Sequence, residues 1–208
     1  MANKDNISDE LLAAYLEGST NIDETTQVLN ALRKNPELRN ALDISIQLDE
    51  EEPLLQMAAE GGRNLCDVQC EAYILNKKGI DCNVEELLEI AKDNHWIRKA
   101  GTPLYCIGNL IEYMGLKVTR RYQASIEELQ DLLKKGNGII VAVDCDKLYP
   151  ERPDEEDATN HAIVVTRIDG EYVTIYDPEN SSEVNIKLPL FMSAWKESKY
   201  YLVCETNK

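Results

Sequence analysis

Apolar residues recur mainly at helical spacing before Gly136-Asn-Gly138, and after it the pattern changes to strand-like runs. Residues 1–46 predict three short helices. Ser8 caps the first, whose apolar positions are Leu11, Leu12, Tyr15 and Leu16 and whose stop is Gly18. The second runs through Val28, Leu29 and Leu32. The third starts at Asn35-Pro36, a cap followed by proline at the first helical position, and carries Leu38, Leu42 and Ile46. This is little apolar surface for an independent core. The run Asp49-Glu-Glu-Glu-Pro53 marks a boundary, and Leu54–Ala59 predicts one further helical turn.

A helix is expected from Cys66 to about Asn76, ending at Lys77-Lys-Gly79, and another from Val84 to Lys92 behind the caps Asp81 and Asn83. Gly101-Thr102-Pro103 predicts a third, with Thr102 as cap, followed by Leu104, Ile107, Leu110, Ile111 and Met114. A short strand over Lys117–Arg121 then leads to Ser125-x-x-Glu128, a capping box heading a helix to Lys135. Ile139–Asp144 is nearly all apolar, as in a central strand buried on both faces. His161–Ile168 and Glu171–Tyr176 flank Asp169-Gly170, read as a hairpin turn. Val184–Leu188 and Tyr200–Cys204 complete an antiparallel, meandering sheet. The polar stretch Lys147–Thr159 reads as a loop leading to His161. The expected class is α+β.

At 208 residues with 43% hydrophobic content, the chain suits one ordinary domain and a small accessory piece. The formal net charge of -16 argues against nucleic acid and anionic membrane surfaces as partners. No apolar run reaches the roughly 20 residues a bilayer span needs, and Met1-Ala-Asn-Lys-Asp lacks the apolar core of a signal peptide. The expected location is cytoplasmic. Six scattered cysteines then read as free thiols, and Cys66-x-x-x-Cys70 has no second pair to make a zinc site.

Cys66 is the candidate nucleophile. A cysteine at a helix start meets the positive end of the helix dipole, which favours the thiolate. His161 opens a strand and is the candidate general base, while His95 sits in a charged segment at a helix end. Asp177 lies 16 residues after His161 on the other arm of the same hairpin, placed to accept a hydrogen bond from the imidazole and orient it.

Residues 66–204 resemble the bacteriocin-processing-like branch of the papain-fold cysteine peptidases, relatives of the double-glycine leader peptidases. The segments carrying the resemblance are Cys66-Asp-Val-Gln-Cys-Glu-Ala-Tyr-Ile-Leu, Gly101-Thr-Pro, Asn109-Leu-Ile-Glu-Tyr-Met-Gly-Leu, Ile139-Ile-Val-Ala-Val-Asp, Asn160-His-Ala-Ile-Val-Val-Thr, Tyr176-Asp-Pro and Leu190-Phe-Met-Ser-Ala-Trp195. The resemblance implies a papain-like fold, a helical lobe followed by an antiparallel sheet. It also implies a Cys66-His161-Asp177 triad, a peptide or protein substrate, and no metal or organic cofactor. One position departs from the family pattern. A Gln six residues before the nucleophile usually helps form the oxyanion hole, and here Glu60 stands there. A carboxylate cannot donate that hydrogen bond; Gln56 or Asn64 are the possible substitutes. Glu60 keeps open a catalytically inactive, peptide- or protein-binding alternative. Gly61-Gly62, which resembles a double-glycine cleavage signal, reads as a flexible turn.

Ile7-Ser-Asp-Glu-Leu-Leu-Ala-Ala-Tyr-Leu-Glu-Gly and Asn35-Pro-Glu-Leu-Arg resemble the zinc-free N-terminal helical module of bacterial anti-sigma factors. That resemblance implies a protein partner engaged through residues 1–46, in one reading a transcription-initiation factor. The expected organisation is a helical interaction module over 1–48, an acidic linker and turn over 49–62, and a papain-like peptidase domain over 63–208.

Overall fold

The computed structural model describes residues 7–16, 22–39, 65–97, 101–151 and 161–206. The predictions for Gly18, Leu42, Ile46 and the segment 49–64, which includes Gln56, Glu60, Gly61-Gly62 and Asn64, fall outside these residues, as do those for 152–160. The chain divides into two compact units, Met1–Glu51 and Glu52–Lys208.

In the first unit, α1 (Asp9–Leu16) begins where Ser8 Oγ accepts from the Leu11 N–H at 3.2 Å. Helix α2 (Ile22–Lys34) carries Asp23 and Glu24 in its first turn and Arg33 and Lys34 in its last, each sign at the end its dipole favours. Asn35 Oδ1 accepts from the N–H groups of Glu37 and Leu38, both at 3.1 Å, heading a helical segment over 36–39. Val28, Ala31 and Leu32 are buried.

The second unit begins with α3 (Cys66–Lys77) and α4 (Val84–Asp93), the latter capped by Asn83 Oδ1 on the Glu86 N–H at 2.7 Å. There follow α5 (Asn109–Tyr113), β1 (Lys117–Arg121), α6 (Ile126–Lys134), β2 (Ile139–Val143) and α7 (Cys145–Leu148). The chain continues through β3 (His161–Ile168), β4 (Tyr172–Asp177), β5 (Ser182–Lys187), α8 (Leu188–Glu197) and β6 (Leu202–Thr206). The six strands among the described residues are antiparallel in the order β1-β6-β2-β3-β4-β5.

Alternation along β2 and β3 builds two cores. Ile140, Ala142, Ala162 and Val164 pack in one cluster with α3, α4 and α5. Ile139, Val141, Val143, Ile163 and Val165 join a second with Leu129 of α6 and Phe191, Ala194 and Trp195 of α8. A strand covered on both faces needs apolar residues at every position, which explains the continuous run in β2.

Four expectations are corrected. Residues 104–108 form turns, and the helix expected from Thr102 begins only at Asn109. Gly108 takes a left-handed φ of 89° and packs so closely that a Cβ there would lie 2.8 Å from Val203 Cγ1. The sheet is not a simple meander, because α8 returns the chain across the sheet and β6 inserts between β1 and β2. The hairpin turn centres on Gly170-Glu171, one residue later than expected, since the Asp169 N–H donates to the Tyr172 carbonyl at 3.0 Å and Gly170 takes φ 95°. The expected loop from Lys147 contains the end of α7, which starts behind Asp144 Oδ1 accepting from the Lys147 N–H at 3.0 Å.

Candidate active site

Cys66 is the first residue of α3, and Leu65 before it provides no side-chain cap. The opening N–H groups of a helix carry partial positive charge, so the sulfur sits where an anion is favoured. Strand β3 runs beside this helix. The Ala162 N–H donates to Cys66 Sγ at 3.4 Å, and one turn further on Cys70 Sγ donates to the Ala162 carbonyl at 3.3 Å.

His161 precedes Ala162 and is 7% exposed. Its Nε2 lies 2.9 Å from Asp177 Oδ1, across the β3–β4 hairpin. This leaves Nδ1 as the ring nitrogen available to Cys66. Burial alone would push the imidazolium down. The hydrogen bonds and charges of Asp177 and Cys66 outweigh it and raise His161 to about 10.

Asp177 is fully buried. Its Oδ1 also accepts from the Glu179 N–H at 3.0 Å, and its Oδ2 accepts from Tyr149 Oη at 2.6 Å and Asn180 Nδ2 at 2.9 Å. Burial would raise this carboxyl, but the donors from His161, Tyr149 and Glu179 hold it down at about 2. Both shifts favour an ionised Asp177 beside a protonated His161.

Behind Cys66 lie two further carboxyls, Asp67 and Glu71, 2% and 1% exposed. Glu71 accepts from the N–H groups of Gly108 at 3.0 Å and Ile111 at 2.7 Å, so it caps α5 from across the core. Burial pushes Asp67 up to about 6, and burial with the neighbouring Asp67 charge pushes Glu71 well above the usual carboxylate range. Both shifts favour the protonated form of these carboxyls. Arg120 closes the network, donating to the Ile107 carbonyl, Asn109 Oδ1 and Glu112 Oε2.

A pocket of about 420 Å³ opens along α3, lined in part by Gln69, Tyr73, Lys77 and Tyr176. The Tyr73 and Tyr176 rings stack at 4.1 Å, and the buried Oε1 of Gln69 has no hydrogen-bond partner among the described residues. Among the described residues no cluster of His, Cys, Asp and Glu is arranged to hold a metal ion, and no helix is long and apolar enough to cross a membrane.

The structure thus brings Cys66, His161 and Asp177 into one cluster, while His95 is exposed beyond the end of α4. The oxyanion-hole candidates Glu60 and Asn64 lie outside the described residues. Sequence reasoning missed Tyr149, Asn180, Asp67 and Glu71. Asn180 had a local signal, because Asp177-Pro-Glu-Asn reads as a turn closed by the aspartate side chain. Tyr149 had none, being 28 residues from Asp177.

Solved structures that share this fold include three peptidases. A C39-like peptidase from Bacillus anthracis aligns with a TM-score of 0.56 at 18% identity, covering 70% of this chain and 90% of its own. The peptidase domain of Streptococcus ComA, a bifunctional ABC transporter of a quorum-sensing pathway, aligns at 0.54 and 18% identity, covering 71% and 96%. A double glycine motif protease from an AMS/PCAT transporter, in complex with its leader peptide, aligns at 0.51 and 15% identity, covering 71% and 88%. None of the curated proteins matches the chain. The α+β arrangement of helices on an antiparallel sheet is that of the papain-like cysteine peptidases. Residues 44–203 match the Peptidase_C39 like family, and the chain belongs to that family.

Proposed function

We propose that the protein is a cysteine peptidase that hydrolyses a peptide or protein amide, with Cys66 as nucleophile, His161 as general base and acid, and Asp177 as the residue orienting His161. The observation carrying this reading is the placement of Cys66 Sγ against the Ala162 N–H, next to an imidazole that Asp177 holds at 2.9 Å. The thiolate attacks the amide carbonyl carbon, and the imidazolium gives its proton to the leaving amine as the C–N bond breaks. Water then gives a proton to His161 and its oxygen attacks the thioester carbonyl, breaking the C–S bond, releasing the acid and regenerating the thiolate beside the imidazolium. The pocket beside Gln69, Tyr73 and Tyr176, further along the helix that Cys66 begins, offers room for a substrate side chain.

The relative that is bound to a leader peptide supports a peptide substrate. Residues 1–46 are read as a helical module that engages a protein partner. Glu60 in the position of the expected Gln favours a second reading, a peptide-binding protein without turnover. Incubation with a defined peptide library, including Gly-Gly peptides, separates the two. Cleavage by the intact chain and its loss in Cys66→Ala, with the thermal transition kept, is the expected result. Binding without cleavage would favour the second reading, and equal cleavage by Cys66→Ala would remove Cys66 from the chemistry.

A further inference from the structure

A carboxylate offers about four lone-pair positions, and at Asp177 four donors are in place. His161 Nε2 and the Glu179 N–H occupy Oδ1, and Tyr149 Oη and Asn180 Nδ2 occupy Oδ2. The 2.6 Å contact from Tyr149 is the shortest of these and has the length of a charge-assisted O–H···O⁻ bond. Its support comes from packing and local hydrogen bonds. Tyr149 follows α7, where Leu148 is buried in the core shared with α8 and Lys147 pairs with Glu197 of α8 at 2.6 Å. The Tyr149 N–H donates to the Cys145 carbonyl at 2.9 Å, and Tyr149 is itself 7% exposed.

We infer that Tyr149 is a positioning residue of this site: its hydroxyl, seconded by Asn180, holds Asp177 Oδ2 so that Oδ1 stays on His161 Nε2. The inference rests on the proposed roles of His161 and Asp177, and it extends the chain of contacts to Cys66-His161-Asp177-Tyr149. A buried tyrosine hydroxyl needs a partner whatever its role. The consequence that separates positioning from mere satisfaction is at His161. Without the hydroxyl the carboxylate turns on its axis, the bond to Nε2 weakens, and the imidazolium loses stabilisation. Asn180 is exposed on the turn after β4, so its removal perturbs the carboxylate with little cost to the fold.

The chain has only two histidines, His95 and His161, so the His161 ring can be followed by NMR through a pH titration, with His95→Gln to assign the signals. The comparison is between the intact chain, Tyr149→Phe, Asn180→Ala and the double variant. Tyr149→Phe should lower the His161 midpoint by about one pH unit, a tenfold loss of proton affinity. Asn180→Ala should move it less and in the same direction, and the double variant furthest. An unmoved midpoint in Tyr149→Phe, with only the thermal transition lowered, would make the hydroxyl structural. A raised midpoint would mean that it merely competes with His161 for the carboxylate's charge, and either result overturns the inference. Should Tyr149→Phe fail to fold, an unmoved midpoint in Asn180→Ala would still overturn it. The titration needs no substrate, so absence of peptide cleavage would count against the proposed function and leave this test standing.

Discussion

Cys66 Sγ and the Ala162 N–H stand 3.4 Å apart although 96 residues separate them in the chain. The carbonyl of the same residue accepts from Cys70 Sγ at 3.3 Å. One residue of β3 thus contacts two sulfurs one helical turn apart, and these contacts, with the apolar packing of α3 on β3, align the helix with the strand. Since His161 is the preceding residue, its position relative to Cys66 is set by backbone geometry.

The His161–Asp177 pair gives folding stability a defined pH window. His161 is raised from 6.5 to about 10, so its contribution is complete below about 6.5 and is lost as pH rises through about 10. Asp177 is lowered from 3.8 to about 2, so its contribution is complete above 3.8 and is lost as pH falls through about 2. Asp177→Asn should therefore cost most between pH 4 and 6.5, on the order of 2–4 kcal/mol. Urea unfolding of both proteins from pH 3 to 10 checks this. A cost that does not vary with pH would contradict it.

Asp67 works in the opposite sense. Burial raises it to about 6, so the native state holds its proton longer than the unfolded chain. Stability falls as pH climbs from about 4 to 6 and stays lower above. Asp67→Asn, which does not titrate, should gain about 1–3 kcal/mol at pH 8 and little at pH 4. Thermal unfolding at the two pH values is the measurement, and an equal gain at both would point to packing instead.

Gly108 joins the helices to the sheet through its backbone. Its φ of 89° and the approach of Val203 and Val118, 2.8 and 2.9 Å from a Cβ placed there, leave no room for a side chain. Gly108→Ala should cost about 2–4 kcal/mol, while Gly79→Ala, with φ 78° and open space around it, should cost about 1 kcal/mol from strain alone. Denaturant midpoints of the two variants test the difference.

Local chemistry made much of this fold legible. Asn83 and Ser125 cap the helices they were expected to cap, with contacts of 2.7 and 3.2 Å to the N–H three residues on. The unbroken apolar run of β2 follows from its burial on both faces. The start of α5 was not legible, because it depends on Glu71, 37 residues before Gly108, and on contact with Val203. The insertion of β6 depends likewise on which strand edge is open once α8 has crossed the sheet. At the site, Cys66, His161 and Asp177 each carried a local sign in the sequence. Tyr149 did not, since a tyrosine in a polar stretch carries no mark of a carboxylate 28 positions away.

The most direct test of the account is the rate at which iodoacetamide alkylates Cys66 at pH 6, followed by peptide mapping, in the intact chain and in His161→Ala. A thiolate held by an imidazolium should react at least about tenfold faster in the intact chain. Equal rates in the two proteins, or an inert Cys66 in both, would contradict an activated Cys66–His161 pair.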